Sequence, residues 1–473
     1  MTDRELTNSY LPDERPPVGK LLLYALQQVV VMFPATVAVA LITGFQVSTT
    51  IFASGLATVF FILITGRKIP MYYGSSFAYL TAIASMIAAK NLPPELIYHA
   101  GTNILLPEHI AEAQFGIIFS GIISIIAGLL VRWGGKDKVE KILPAQVTGP
   151  IAMIIGLTLA GNAIMDAAPA AAASGTVLGS SWVWIVSLVT LFSTMIYSRY
   201  LKGLLGQLPL LLGAATGCLA AFIIYLVGGP AYSLFRAIPQ EALNASLWKL
   251  GDGGIFALPA FTFPKVSWAA VAAIMPIAIA TIPESTAHIY QLDIYVNNEA
   301  KKKGKHYNIA GLLHRNLIGD GICDMVSGVV GGPAGTNYGE NISTMAITRV
   351  FSIPVMLTAG IIAMVVSCFT PLIKVIYGIP VAVIGGLEIY LFGAIAAQGI
   401  AIMIDKGVSM FSSKNIAVIA VITTFGLGVN YFFGGNINMF GLNVPAIAGA
   451  AVLGIVTNFI LSFGDKKDGV KVT

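Results

Sequence analysis

Six ionisable residues fall inside long apolar stretches of this chain: Glu284, His288, Asp320, Asp324, Glu340 and Glu388. A carboxylate at bilayer depth costs about 2.5–3.5 kcal/mol on insertion scales, so each of these should face a cavity or a partner. Glu284 and His288, in TIPESTAHIYQ, are four residues apart and share a helix face, where carboxylate and imidazole can meet and hold a proton between them. The plainer reading of the same spacing is a structural pair that staples two helices. Glu340 stands in GTNYGENIST, residues 335–344, a polar run between apolar segments. There it can offer a charged acceptor to ligand N–H groups, with the backbones of Phe77 and Gly339 supplying further donors and acceptors. Asp320 and Asp324, also four apart, lie in GDGICD near the start of their helix, so capping or helix packing is expected before substrate contact. Glu388 is far from the other acids in sequence and fits either a pathway or a neighbouring helix.

The elements that must hold these groups are membrane spans. Of 473 residues 56% are hydrophobic and 10% charged, against about 25% charged in soluble domains, which leaves only a polytopic membrane protein. Apolar runs long enough to cross a hydrocarbon core about 30 Å thick read as 19–41, 47–66, 69–88, 113–132, 142–165, 180–200, 204–228, 267–290, 316–332, 335–348, 350–369, 378–404, 415–435 and 441–463. The first follows a polar stretch without a small-residue cleavage site and is expected to stay in the membrane. With the N-terminus inside, the 27 basic residues split 22 to 5 in favour of the inner side, as cytoplasmic loops require. Both termini are then cytoplasmic. The net charge of +5 reads as this topology signal, since no soluble domain carries a basic face for nucleic acid. Cys218, Cys323 and Cys368 lack metal-ligand spacing. Without a Walker loop, HExxH or nucleophile elbow the chain reads as a transporter rather than an enzyme, with no cofactor or metal expected.

Two pairs of segments carry the same punctuation. MYYGSSFAYL (71–80) in the third crossing and TNYGENIST (336–344) in the tenth each centre on Tyr-Gly followed by polar residues. In the fifth and twelfth, Pro144/Pro380, Val147/Val383, Gly149/Gly385 and Ala160/Ala396 align at one offset. Both correspondences are seven crossings apart, and an odd number per repeat turns the second copy upside down. The expected fold class is therefore an all-α polytopic membrane protein with fourteen spans in a 7+7 inverted repeat. Short extended breaks in crossings 3 and 10 should meet near the midplane, tolerated because protein or a watery cavity covers their backbone groups. Close helix packing on Gly and Ser is the alternative use of these residues.

At these residues the sequence resembles the nucleobase-ascorbate transporter family, the second type of nucleobase:cation symporter, and most closely its bacterial uracil permease branch. The family signature, an acid or Gln, then Asn, any residue, Gly, four residues, Thr and a base, is matched by ENISTMAITR from Glu340 to Arg349. ERPP before the first crossing, GSSFAY in the third, Glu284 with His288 in the eighth and NYGEN in the tenth also match. The resemblance implies a core domain, residues 1–141 and 263–370, holding substrate against a gate domain, residues 142–262 and 371–473, usually in homodimers. It implies that Glu284 and Glu340 hydrogen-bond the base, that the Phe77 and Gly339 backbones bind its carbonyls, that Tyr338 lines the pocket and that His288, with Glu284 and Glu340, takes part in proton coupling. Ser76 and Asn341 are further pocket candidates. Purine-transporting members generally have Gln where Glu340 stands, whereas the uracil branch has Glu.

Two departures bear on these roles. Ser343 replaces the signature Gly, and Leu26-Gln27-Gln28 replaces the family's usual Gln-His, so Gln28 brings no titratable ring. Asp324 and Glu388 are acids not expected in that branch and could line the pathway, altering substrate range or cation choice. The resulting expectation is a proton-coupled uracil importer of a bacterial inner membrane working by alternating access, with sodium coupling left open. The rivals are a xanthine or purine permease and an anion transporter or channel of the same architecture.

Overall fold

Extended backbone can exist at bilayer depth only where its N–H and C=O groups are answered, and the computed structural model meets that condition at two places. It describes residues 9–99, 102–135, 143–236, 255–439 and 442–463. Arg4, Lys136, Lys138, Lys141, Lys249, Lys466, Lys467 and Lys471, counted above in the charge bias, and the boundary at 141/142 lie outside the described residues.

The chain begins with helices α1 (Val18–Thr43) and α2 (Val47–Ile64), then strand β1 (Tyr73–Ser75), a single turn over Phe77–Tyr79 and α3 (Leu80–Ala88). Next come α4 (Pro107–Gly134), α5 (Ala145–Thr158), α6 (Ala160–Ala167), α7 (Trp182–Tyr200) and α8 (Pro209–Gly228). The following part starts with α9 (Trp268–Ile274), α10 (Ala278–Ala300) and α11 (Leu313–Val330), and continues through β2 (Gly335–Asn337), α12 (Gly339–Thr348) and α13 (Ile353–Ser367). It closes with α14 (Thr370–Tyr377), α15 (Val381–Asp405), α16 (Ser413–Phe432), a hairpin of β3 (Asn436–Met439) and β4 (Leu442–Pro445), and α17 (Ala446–Ser462).

Among the described residues nine helical stretches are long and apolar enough to cross a membrane. Helix lies in each of the fourteen predicted stretches, yet several of these helices are not of crossing length. At 69–88 and 335–348 a strand takes up the first part, leaving nine residues in α3 and ten in α12, about 15 Å at 1.5 Å per residue. The α11 helix fails on polarity, since it carries Arg315, Asp320 and Asp324. The β3–β4 hairpin was not anticipated; it forms where Gly434 (φ 65°) and Gly435 (φ 90°) end α16 in left-handed backbone.

Strands β1 and β2 pair antiparallel, Tyr73 opposite Asn337, Gly74 opposite Thr336 and Ser75 opposite Gly335. Their outer groups are answered by side chains and loops. The Tyr73 N–H donates to Thr58 Oγ1 at 3.0 Å, and the Tyr73 carbonyl accepts from Ser54 Oγ at 2.9 Å. Ser76 N–H reaches Ala334 O at 3.0 Å and Tyr338 N–H reaches Tyr72 O at 3.0 Å. No water is needed, which is why the pair can sit among buried Tyr72, Tyr73 and Tyr338.

Packing sorts the helices into two sets. In one, α4 packs on α11 and α9, and α2 on α13 and α11, around the strand pair; in the other, α15 packs on α5, α6 and α7, α8 on α7, and α16 on α5 and α17. Small residues set the closest approaches. A Cβ on Gly121 would strike the carbonyl of Gly321 and the reverse also holds; Gly55 and Gly360 form the same reciprocal contact between α2 and α13. Gly149 of α5 lies against Gly399 of α15, while Gly385 of α15 lies against Asp166 and Ala167 of α6.

Candidate functional site

Each strand ends at a helix N-terminus. After β1 the turn starting at Phe77 is capped by Ser76, whose hydroxyl accepts from Ala78 N–H at 3.2 Å. After β2, Tyr338 is the residue before α12, and Glu340 occupies that helix's first turn. The first N–H groups of a helix have no partner within it and carry partial positive charge. Two such ends, from distant parts of the sequence, border one cavity.

That cavity has a volume of about 380 Å³, within the range of small-molecule sites. It is lined by Ser76, Phe77, Glu284, His288, Tyr338, Gly339, Glu340 and Ser343, all anticipated from the sequence. Gln28, Asn341, Asp324 and Glu388 are not in its lining. Asn341 donates to Gln28 Oε1 at 2.7 Å and to Gln28 O at 2.9 Å, tying α12 to α1 behind Glu340. Asp324 accepts from Tyr73 OH at 2.5 Å and from Gly335 N–H at 2.8 Å, so it holds both strands. Asp320 accepts from Asn337 Nδ2 at 2.8 Å and from the Ser285 hydroxyl. Glu388 is buried in α15, where its carboxyl lies beside that of Asp166 of α6.

The contact expected between Glu284 and His288 is not formed. No hydrogen bond or ion pair joins them; the ring is turned toward the start of α12, where a Cβ on Gly339 would lie 3.0 Å from His288 Nε2. His288 Nδ1 is buried without a partner, as are Thr336 Oγ1 and Asn337 Oδ1, and all three residues line the cavity. Native structures rarely leave buried polar atoms unanswered unless a ligand or water answers them. Thr336 and Asn337 were legible only as part of the polar run before Tyr338; Gln207 and Gln398, which also line the cavity, gave no signal.

Tyr338 crosses the strand pair. Its hydroxyl donates to Ser75 O at 2.8 Å and lies 3.0 Å from Thr36 Oγ1. The ring passes over Gly74, where a Cβ would fall within 2.5 Å of ring carbon Cε2; only glycine leaves it room.

A vestibule of about 810 Å³, lined by Gln146, Thr286, Tyr290, Asp405 and Lys406 among others, shares Ile402 with the cavity. A crevice of about 390 Å³ lies toward the opposite end, bordered by Thr43, Leu80, Asn91, Leu159 and Asn162. An apolar layer of Val39, Leu80, Leu159, Leu391 and Phe392, with Phe77 against it, separates that crevice from the cavity.

The sequence pattern of the Permease family matches residues 19–435. The chain is 33% identical over 450 residues to a uracil permease of Bacillus caldolyticus, covering 95% of this chain and 93% of that protein. It is 31% identical over 446 residues to a uracil permease of Bacillus subtilis, with 93% and 92% covered. Among solved structures, the transmembrane domain of a cyanobacterium bicarbonate transporter, BicA, shares the fold with a TM-score of 0.57 at 14% identity, covering 94% of this chain and 97% of that one.

Proposed function

Because this chain belongs to the Permease family, and is thus a multi-pass membrane transporter and not an enzyme, we propose that it imports a nucleobase, uracil before other bases, by proton symport across a bacterial inner membrane. One observation carries this reading: two carboxylates, Glu284 and Glu340, and two helix N-termini, at Phe77 and Gly339, face one cavity of about 380 Å³. A uracil ring presents N–H donors flanked by carbonyl acceptors. The carboxylates suit the first as charge-assisted acceptors, and the backbone N–H groups suit the second.

Coupling follows from the charge. No Lys or Arg lines the cavity, so two carboxylates there without a counter-ion favour taking up a proton with the base, with His288 as the neighbouring carrier. One charge moving through 100 mV supplies about 2.3 kcal/mol, roughly a fiftyfold gradient at about 1.36 kcal/mol per decade.

Alternating access rests on residues 1–141 and 263–370 moving as a core against a gate of 142–262 and 371–473. The two packing sets fit that division. Fourteen crossings in a 7+7 inverted repeat are supported by the glycine contacts. The Gly55–Gly360 pair, crossings 2 and 11, and the Gly121–Gly321 pair, crossings 9 and 4, exchange under a shift of seven crossings. With the basic-rich side as cytoplasm, the open vestibule corresponds to an inward-facing state. A homodimer is proposed from the family resemblance.

Uptake of labelled uracil into proteoliposomes with an imposed inward proton gradient tests this, with xanthine, uric acid and thymine as competitors. Gradient-dependent uptake blocked by pyrimidines alone is the expected result. Block by xanthine would move the assignment to purines, dependence on a sodium gradient would move the coupling ion, and bicarbonate or chloride flux without uracil uptake would overturn the reading. The two carboxylates weigh against that last, anionic substrate.

A further inference from the structure

The cavity's two walls differ in chemistry. One wall, from β1, α10, β2 and α12, carries the carboxylates and helix ends; the other carries Ala152, Ile155, Leu391 and Ile395, with just two polar side chains, Gln207 and Gln398. Neither amide has a hydrogen-bond partner among the described residues. The amides of Gln28, Gln114 and Gln146, by contrast, are tied into the fold: Gln28 accepts from Asn341, Gln114 donates to Thr262 O at 2.8 Å and Gln146 donates to Asn458 Oδ1 at 3.1 Å. Gln398 is exposed on α15 and Gln207 is half-buried in its turn, so both amides are open to whatever enters the cavity.

Their placement is at the mouth. Gln398 is one helical turn before Ile402, the residue shared by cavity and vestibule, so both lie on one face of α15. Gln207 ends the short turn Leu205–Gln207, which touches α12, the helix of Glu340. A planar base held by one edge at Glu284 and Glu340 turns its other edge toward this neck.

We propose that Gln398 and Gln207 are specificity-determining residues that hydrogen-bond the edge of the base left free by Glu284 and Glu340, and hold it as the neck closes. An amide offers a donor and an acceptor on one plane, which matches the alternating polar edge of a nucleobase. The inference rests on the nucleobase reading and adds to it the second wall of the site.

The test is counterflow of labelled uracil in proteoliposomes of the full chain with Gln398→Met and Gln207→Met, which keep length and volume and remove the amide. Wild-type exchange is measured first; if no nucleobase exchanges, the functional reading fails and this inference with it. If wild type exchanges uracil, the expected result is a KM raised about three- to tenfold in each variant, as for one lost hydrogen bond, with maximal rate within about twofold. The competition order of uracil analogues altered at the carbonyls should also change, which loss of shape alone would not produce. Unchanged KM and competition order in both variants overturn the inference while leaving the uracil reading intact. A Gln398→Asn variant recovering part of the affinity separates amide loss from misfolding; recovery no better than Met would count against it.

Discussion

The phenolic hydroxyl of Tyr73 donates to Asp324 Oδ1 at 2.5 Å, joining β1 to α11 across 251 residues of sequence. The same oxygen accepts the Gly335 N–H at the start of β2, so one buried carboxylate fixes both strands. Tyr73→Phe should lower stability by about 1–3 kcal/mol, the cost of leaving a buried acceptor short of a donor. Asp324→Ala should cost more, since it strands the Gly335 N–H and leaves the tyrosine hydroxyl only the longer contact to Asp320 O at 3.4 Å; Asp324→Asn should fall between wild type and Ala. Thermal unfolding in detergent ranks the three, and an Ala variant as stable as wild type would remove the anchoring role.

Gly74 is the second constraint on the strand pair. A side chain there meets the Tyr338 ring, and both residues are buried, so the ring must leave its place over β1. Gly74→Ala should therefore weaken substrate binding by more than about tenfold, as a misplaced site group commonly does. Gly19, with nothing within 4 Å of a built Cβ, gives a matched control. Equal uracil binding by the Gly74 and Gly19 variants would show that Tyr338 need not stay where it lies.

Much of this was readable beforehand, for a physical reason. Polar runs at Tyr73–Ser76 and Thr336–Glu340 are costly inside apolar segments, so their presence marked the broken crossings and the cavity they border. Asp320 and Asp324 were visible as a pair, with capping or helix packing expected before substrate contact and Asp324 also a candidate for the pathway. Their partners were not visible, because Tyr73, Gly335, Asn337 and Ser285 come from other parts of the chain. The Ser54 and Thr58 hydroxyls that complete the strand pair look like ordinary small residues of an apolar helix. Gln207 and Gln398 were missed for a similar reason: a lone amide has no periodicity, and only the fold shows that it is unpaired and faces the same space as Glu340. The Glu284–His288 spacing gave the shared face but not the rotamer, which the start of α12 decides.

Outside the membrane, residues 9–15 strap the basic-rich end. Tyr10 N–H donates to Arg349 O at 2.9 Å and Phe351 N–H to Tyr10 O at 2.7 Å, while Lys303 and Lys305 reach Glu14 and Asp13 at 2.7 and 3.1 Å. Partial burial alone would raise both carboxyls, but hydrogen bonds from Tyr307 and Lys305 to Asp13, and from Lys303 and Leu11 N–H to Glu14, outweigh it and hold both below their ordinary values of 3.8 and 4.5. Groups lowered on folding stabilise above the unfolded values and lose that stabilisation as pH falls through the folded ones. Stability from the strap should be constant between pH 7 and pH 5 and decline below about pH 4. An Asp13→Asn, Glu14→Gln protein should melt lower at pH 7 and lose less between pH 5 and pH 3. A parallel loss in both proteins would place the acid sensitivity elsewhere.

Glu340 in the first turn of α12 combines an acceptor carboxylate with a helix N-terminus, and that combination sets what ring edge it can hold. A carboxylate accepts only; an amide in its place presents a donor as well. Glu340→Gln should therefore lose a charge-assisted hydrogen bond to a ring N–H, lowering uracil affinity by about ten- to a hundredfold. It should also gain relative affinity for bases presenting an acceptor at that edge, so competition by xanthine should strengthen against uracil. Glu284→Gln, in the middle of α10 rather than at a helix start, should lower uracil transport without the same shift toward purines. Competition of labelled uracil by xanthine in wild type and both variants reads the difference directly. If Glu340→Gln leaves the xanthine-to-uracil ratio where wild type has it, the carboxylate is not what selects the base, and selection would have to come from the opposite wall, at Gln207 and Gln398.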